Sequence, residues 1–260
     1  MRINRNYTIS KSAIIADNVQ IGANSIIHDN VEIGNNTIVC ENCIIGEPNA
    51  RSYKEDNYIN PKTYIGSNSL IRSGSIIYSG SSFGECFTTG NMVSIREGSV
   101  FGKNCIVGTF SDVQGDVVFG DYCRLNSHVQ IASKCVFGSF VFIYPMVVFT
   151  NDPLPPSNIL IGCSVGDFSQ IAAGSIILPC ISIGKHCLIG ASSLVNKNVL
   201  DYEFHTGNPA VRIGKVNHIW SKENKRPQYP WPYNFDRGLP WAEVGFDEWT
   251  KTEEGKPYAL

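Results

Sequence analysis

Reading every sixth residue from Ile9 returns an aliphatic or aromatic side chain almost without exception. One run goes from Ile9 to Ile45, a second from Ile65 to Phe149, and a third from Ile159 to Val195, and Thr89 alone breaks the apolar rule. Four residues after these anchors a small or β-branched residue recurs, as at Ser25, Val31, Thr37, Ser75 and Ser175. Asn or Gly often precedes it (Asn18, Asn24, Asn30, Asn36, Asn42, Gly74, Gly80), where a turn would need a left-handed backbone. A helix cannot keep one face buried at period six, and a simple hairpin alternates at period two. A short strand plus a turn, three to a coil, satisfies the pattern and predicts a parallel β-helix. Each coil of such an array buries its inner face only against its neighbours.

These hexads resemble those of the left-handed β-helix acyltransferases, [LIV]-G-x-x-[STAV]-x, over roughly residues 9–200. The left hand comes with the resemblance, because period six does not set it. The expected fold is therefore all-β: a left-handed parallel β-helix over residues 1–214, with insertions at about 47–64 and 150–158. The first insertion is EPNARSYKEDNYINPKTY; the second, TNDPLPPSN, carries three prolines that cannot donate to a strand ladder. Beyond the hexads, residues 215–260 are rich in Pro and Trp, unlike a disordered tail. They are expected to be mostly extended, with a short helix near Trp241–Trp249, and to pack on the β-helix or a neighbouring subunit rather than act as a lid.

Composition narrows the function classes. The formal net charge is only −2 and the Lys and Arg are scattered, so there is no basic footprint for nucleic acid. Met1–Ser10 has no apolar signal-peptide core and no stretch reaches the length of a membrane span, from which a soluble, cytoplasmic protein is expected. Six of the nine cysteines (Cys43, Cys105, Cys123, Cys135, Cys163 and Cys187) fall in the small slot of a hexad, which predicts packing rather than metal binding.

With three hexads per coil, residues eighteen apart stack on one face. One face collects Ile65, Phe83, Phe101, Phe119 and Phe137, each followed by glycine, and reads as structural. The other two depart from glycine: one carries Arg72, Asn126 and Tyr144 after its anchors, the next Tyr78, Arg96 and Gln114. Large polar residues where the repeat prefers glycine are candidates for binding. His128 falls in the turn joining these two faces, and the proline loop follows Phe149 on the second, projecting Asn151 and Asp152 over a site. Asn91 and Glu97 belong to the same cluster, and Glu97 and Asp112 are candidates to orient a substrate.

TNDPLPPSN resembles the loop of bacterial nucleotide-linked amino-sugar N-acetyltransferases, and HTGNPAVRIG resembles the segment that ends many acetyl-CoA-dependent β-helices. The resemblance implies a homotrimer with sites between subunits, acetyl-CoA as co-substrate without a metal, and a nucleotide-linked amino sugar as acceptor. It further implies His128 and Asn126 as catalytic residues, Arg72, Asn91, Arg96, Glu97, Gln114, Asn151 and Asp152 as substrate-binding, and Ala173, Ala191, Lys197 and Arg212 as cofactor-binding. Related acyltransferases carry H-[IV]-x-H-D with the second His as base, whereas this chain reads His128-Val129-Gln130-Ile131-Ala132. The base position is Ile131, so either His128 takes that role or the amine arrives neutral and His128 positions it. An O-acyltransferase and a non-catalytic or metal-dependent β-helix are the alternatives; sparse His disfavours the metal-dependent one.

Overall fold

The computed structural model describes residues 6–221, 223 and 225–259; residues 1–5 of the expected β-helix lie outside it. The chain winds through about 11 turns of a left-handed parallel β-helix. Its strands are mostly two residues long and fall into three sheets of 10, 9 and 11 strands. The first sheet runs from Thr8–Ile9 to Leu194–Val195, the second from Ile14–Ile15 to Ser182–Ile183, and the third from Gln20–Ile21 to Leu188–Ile189. The third sheet then gains Glu203–Thr206, which pairs in parallel, and Val211–Lys215, which turns back antiparallel.

Register follows the hexads. Phe83 pairs with Phe101, Phe101 with Phe119 and Phe119 with Phe137, so each anchor stacks on the one eighteen residues away. Those rings are buried and lie 5.3, 4.7 and 4.2 Å apart between centroids. Thr89 is buried among the anchors without an orphaned hydroxyl: its Oγ1 accepts from Arg72 N at 2.9 Å and lies 3.3 Å from Ser75 Oγ. The glycines after the phenylalanines are there because the next coil is too close for a side chain. A Cβ on Gly84 would sit 2.6 Å from Lys103 N. The six slot cysteines are buried, and burial pushes the thiols of Cys43 and Cys187 up to about 11.

Nearly every corner turn uses a residue in the left-handed region, and Asn18, Asn24, Asn30, Asn36 and Asn42 all have φ between 57° and 60°. In later coils that position passes to Phe110, Tyr122, His128, Phe140, Met146 and Phe168, with φ between 57° and 62°. Such bulky residues pay about 1–2 kcal/mol each for the conformation. At the corner between the second and third sheets the cost is offset by a ladder of rings. Tyr122, Phe140, Phe168, His186 and Tyr202 stack at 5.0, 4.7, 4.8 and 4.9 Å, with planes within 8° of parallel.

The C-terminal segment covers that ladder on its own chain. Trp231, Leu239, Trp241, Phe246 and Trp249 form a second apolar cluster with Phe140, Phe142 and Phe168. Polar clamps fix it: Trp231 Nε1 donates to Phe168 O (2.8 Å), Tyr229 OH to Gln170 Oε1 (2.9 Å), and Arg124 Nη2 to Arg237 O (2.7 Å). The segment is irregular apart from one strand pair, short 3-10 turns and the helix Phe246–Trp249.

Three expectations need correction. Ile159 is not an anchor: it is 54 % exposed, and the coil resumes at Cys163 and Val165. The prolines deny the strand its donors, so the loop runs on and closes through Ile161 N donating to Asn151 O at 2.8 Å. The first insertion ends earlier than expected, since Thr63–Ile65 already forms a strand. Ile9, in the first described coil, is 36 % exposed, since among the described residues only one neighbouring coil packs against it.

His186 makes acid stability testable. Its ring is 6 % exposed and Nδ1 has no partner, so burial lowers its pKa from 6.5 to about 4; Asp167 and Asp201 oppose that shift and Lys185 adds to it. A depressed folded-state pKa contributes stability that is present above the unfolded value and is lost as pH falls through 6.5 towards 4, by about 3 kcal/mol. His186→Phe keeps the stack and removes the titration. Its urea midpoint should fall less steeply than the parent's between pH 7 and pH 4; parallel curves would refute the account.

Candidate functional site

The first sheet has a polar rim on both edges. At its junction with the third sheet stand Arg72, Asn91, Asn126 and His128, and further along the same corner Ala173 and Ala191. At its junction with the second sheet stand Arg96, Glu97, Gln114 and Lys197, together with the loop bearing Asn151 and Asp152. Arg212 joins neither edge: its Nε pairs with Glu203 Oε1 at 2.7 Å, and Glu203 Oε2 meets His205 Nε2 at 2.9 Å, a cluster at the end of the coil.

His128 is exposed, with φ 59°, and its ring stacks on Phe110 at 5.2 Å. Its N–H donates to Thr109 O at 2.9 Å, so the backbone is held by the preceding coil while the imidazole is free to meet a ligand. Asn126 Nδ2 donates to Ile143 O at 3.2 Å, leaving one amide hydrogen for another acceptor. Above His128 the corner carries Met146, then narrows to Ala173–Gly174 and Ala191–Ser192.

At the opposite edge Arg96 holds Glu97 in a two-point pair, Nε to Oε2 at 2.8 Å and Nη2 to Oε1 at 3.1 Å. The guanidinium lies over the Tyr78 ring, 4.7 Å from its centroid. Burial pushes the Glu97 carboxyl up, but hydrogen bonds and charge from Arg96 outweigh it and leave the group below its ordinary value.

Against the junction with the second sheet lies a hollow of about 580 Å³. Gln114, Gln130, Ala132 and Val148 form its floor, and the loop from Asn151 to Pro155 contributes its wall. Ala132 makes the floor recede, since it is buried between the larger Gln114 and Thr150 of adjacent coils. Asn151 and Asp152 do not hang free. Asn151 Nδ2 donates to Ser133 Oγ at 2.7 Å, and Asp152 accepts from Leu154 N, Ser157 N and Ser157 Oγ at 3.0, 2.9 and 2.6 Å. The Ser157 hydroxyl is the main reason the Asp152 carboxyl titrates below its ordinary value. These two side chains brace the loop, and the sequence could not reveal that because their partners are set by its folded path. Gln130 escaped the sequence reading, as it occupies an unremarkable outward strand position. A second hollow, about 540 Å³, lies within the C-terminal segment and contains none of the candidate catalytic, substrate-binding or cofactor-binding residues.

Among the described residues, no group of three His, Cys, Asp or Glu side chains is placed to hold a metal ion, and no helix is long and apolar enough to cross a membrane. The repeat is matched by two family models, bacterial transferase hexapeptide (six repeats) at residues 5–47 and hexapeptide repeat of succinyl-transferase at residues 180–195. No curated protein matches the chain in sequence. Among solved structures, an Arabidopsis UDP-N-acetylglucosamine acyltransferase superposes with TM-score 0.62 at 17 % identity, over 98 % of this chain and 91 % of that one. A UDP-N-acetylglucosamine acyltransferase from Campylobacter jejuni gives 0.51 at 18 % identity, over 83 % and 79 %. At such identities the likeness establishes the fold. The chain is a left-handed β-helix of the hexapeptide-repeat class, a fold those acyltransferases share.

Asp152→Ala should loosen the loop without unfolding the coil. Protease cleavage between residues 153 and 158 should accelerate markedly while the thermal midpoint stays close to the parent's. Unchanged cleavage would mean that Asp152 does not brace the loop.

Proposed function

We propose that the protein transfers a short acyl group, acetyl by default, from a coenzyme A thioester to the amine of a nucleotide-linked amino sugar, as a homotrimer. The observation that carries this reading is the hollow on the first sheet, largely apolar and walled by the braced loop, beside the edge that carries Arg96 and Glu97. The two acyltransferases that share the fold are UDP-N-acetylglucosamine acyltransferases, which supports a nucleotide-linked amino sugar as the acceptor class.

In this reading the pantetheine arm follows the corner that narrows at Ala173 and Ala191, with Lys197 near its far end, and delivers the thioester towards His128. Arg72, Asn91, Arg96 and Gln114 bind the acceptor, and the braced loop limits where it sits. His128 positions the amine or relays a proton, and the free amide hydrogen of Asn126 meets the oxyanion of the tetrahedral intermediate. Arg212 stands apart from that corner, paired with Glu203 at the end of the coil, and would meet the phosphates by exchanging that partner. Trimer assembly is supported by the exposed ridge of Met92, Phe110 and Met146, which is 54, 55 and 66 % exposed and flanks His128.

Incubation with acetyl-CoA and a panel of nucleotide-linked sugars, amine-bearing and hydroxyl-bearing, tests the reading by thiol release. Release with the amines alone is expected; release only with hydroxyl sugars would make the protein an O-acyltransferase. Sedimentation at micromolar concentration should give a trimer, and a stable monomer would remove the shared-site arrangement. His128→Asn should keep kcat within about tenfold of the parent, below the contribution of a true general base, with the loss appearing in sugar KM. A fall of about a thousandfold in kcat would make His128 the base.

A further inference from the structure

The proposed reaction needs a proton acceptor, because an ammonium has no lone pair, and the position that holds a base in related sequences is here the buried Ile131. One carboxylate beside the hollow is held in a way that ligand binding would change. Glu97 is bound at both oxygens by Arg96, its neighbour in sequence, and both side chains are partly exposed, at 35 and 40 %. An exposed pair of this kind contributes little net stability, so its partner is readily exchanged. A phosphate offers the same guanidinium fork a stronger two-point partner. Tyr78 supports the guanidinium from below, so Arg96 can remain in place while Glu97 leaves it. The carboxyl end of Glu97 lies beside the hollow: a Cβ on Gly115, next to Gln114, would sit 3.8 Å from its carboxyl carbon.

Resting on the acyl-transfer reading and on its site being shared between the His128 edge of one subunit and the Arg96 edge of its neighbour, the geometry points to Glu97 as the group that takes the amine's proton, freed for that task when a substrate phosphate replaces it on Arg96. The ammonium gives one proton to the freed carboxylate, and the nitrogen lone pair then attacks the thioester carbonyl, forming the C–N bond and an oxyanion. As the carbonyl re-forms, the C–S bond breaks and the thiolate leaves with its electron pair. The nitrogen's second proton goes to that thiolate, and Glu97 returns its own to solvent. Until substrate arrives, Arg96 keeps the base suppressed.

Loss of Arg96 should raise the proton affinity of Glu97. The surrounding groups act in the same direction: Asp112 lies close enough to attract Arg96, Asp116 donates its backbone N–H to Glu97 O at 2.9 Å and adds a negative charge nearby, and the incoming phosphate is anionic. Ligand binding near pH 6 should therefore draw a proton from solvent.

The test compares the parent protein with Glu97→Gln and Arg96→Gln, using uridine diphosphate and coenzyme A as separate probes. Calorimetry in two buffers of different ionisation enthalpy should show proton uptake with the parent and none beyond the ligand's own exchange with either variant. Uptake with uridine diphosphate would assign the displacing phosphate to the acceptor, and uptake with coenzyme A to the donor. Glu97→Gln should bind the displacing probe up to about fivefold more tightly, since its competitor for Arg96 is weakened. Its kcat should fall about a hundredfold or more, with acceptor KM not raised and thermal midpoint unchanged. A merely structural Glu97 would show none of the first three. Thiol release with kcat within about tenfold of the parent, or no proton uptake with either probe, would overturn the assignment. No thiol release with any acceptor would sink the acyl-transfer reading itself, and with it the catalytic role of Glu97.

Discussion

The structure depends on a backbone conformation that must recur at nearly every corner. A coil of eighteen residues turns three times, and nearly every turn passes through a residue with φ between 54° and 79°. Asparagine takes that conformation at little cost and dominates the first coils, where the corners do nothing but turn. Later coils put aromatic, thioether and imidazole side chains there against their conformational preference. Wherever this happens, the corner has acquired a second task. Between the second and third sheets that task is to receive the C-terminal segment; between the third and first it is to present His128 within an exposed ridge.

The same regularity divides labour among the three faces. The second sheet, with glycine after most of its anchors, is flat because the neighbouring coil leaves no room for a Cβ. The third is covered over several coils by the chain's own C-terminal segment, through Arg124, Phe142 and Gln170. The first retains polar departures on both edges and an uncovered hollow beside the second-sheet edge. A ligand reaching from the His128 edge to the Arg96 edge would cross only the single outward residue of each strand and the loop that follows Phe149.

Proton chemistry and anion binding meet at the second of those edges. A carboxylate held by a guanidinium is a weak base, and a guanidinium held by a carboxylate is a weak anion receptor, so the Arg96–Glu97 pair keeps both functions muted until a phosphate separates them. That economy suits a site on an open face. A permanently free base there would gain nothing in the absence of substrate.

The period of six, the stacking of residues eighteen apart, the buried cysteines and the asparagine turns were legible in the sequence because each coil repeats the same steric demands on its neighbours. The departures at Arg72, Arg96, Gln114 and Asn126 were legible for the same reason, as breaks in a rule. What lay beyond the sequence depended on contacts between segments that no periodicity relates. Only the fold pairs Arg212 with Glu203, turns Asp152 inward to brace its own loop, and carries that loop past Ile159 to Cys163. It also sets Gln130 in the hollow's floor and lays the tryptophans of the C-terminal segment on a ring ladder. A local repeat dictates which side chains face inward; which outward side chains find partners is decided by where the irregular segments come to rest.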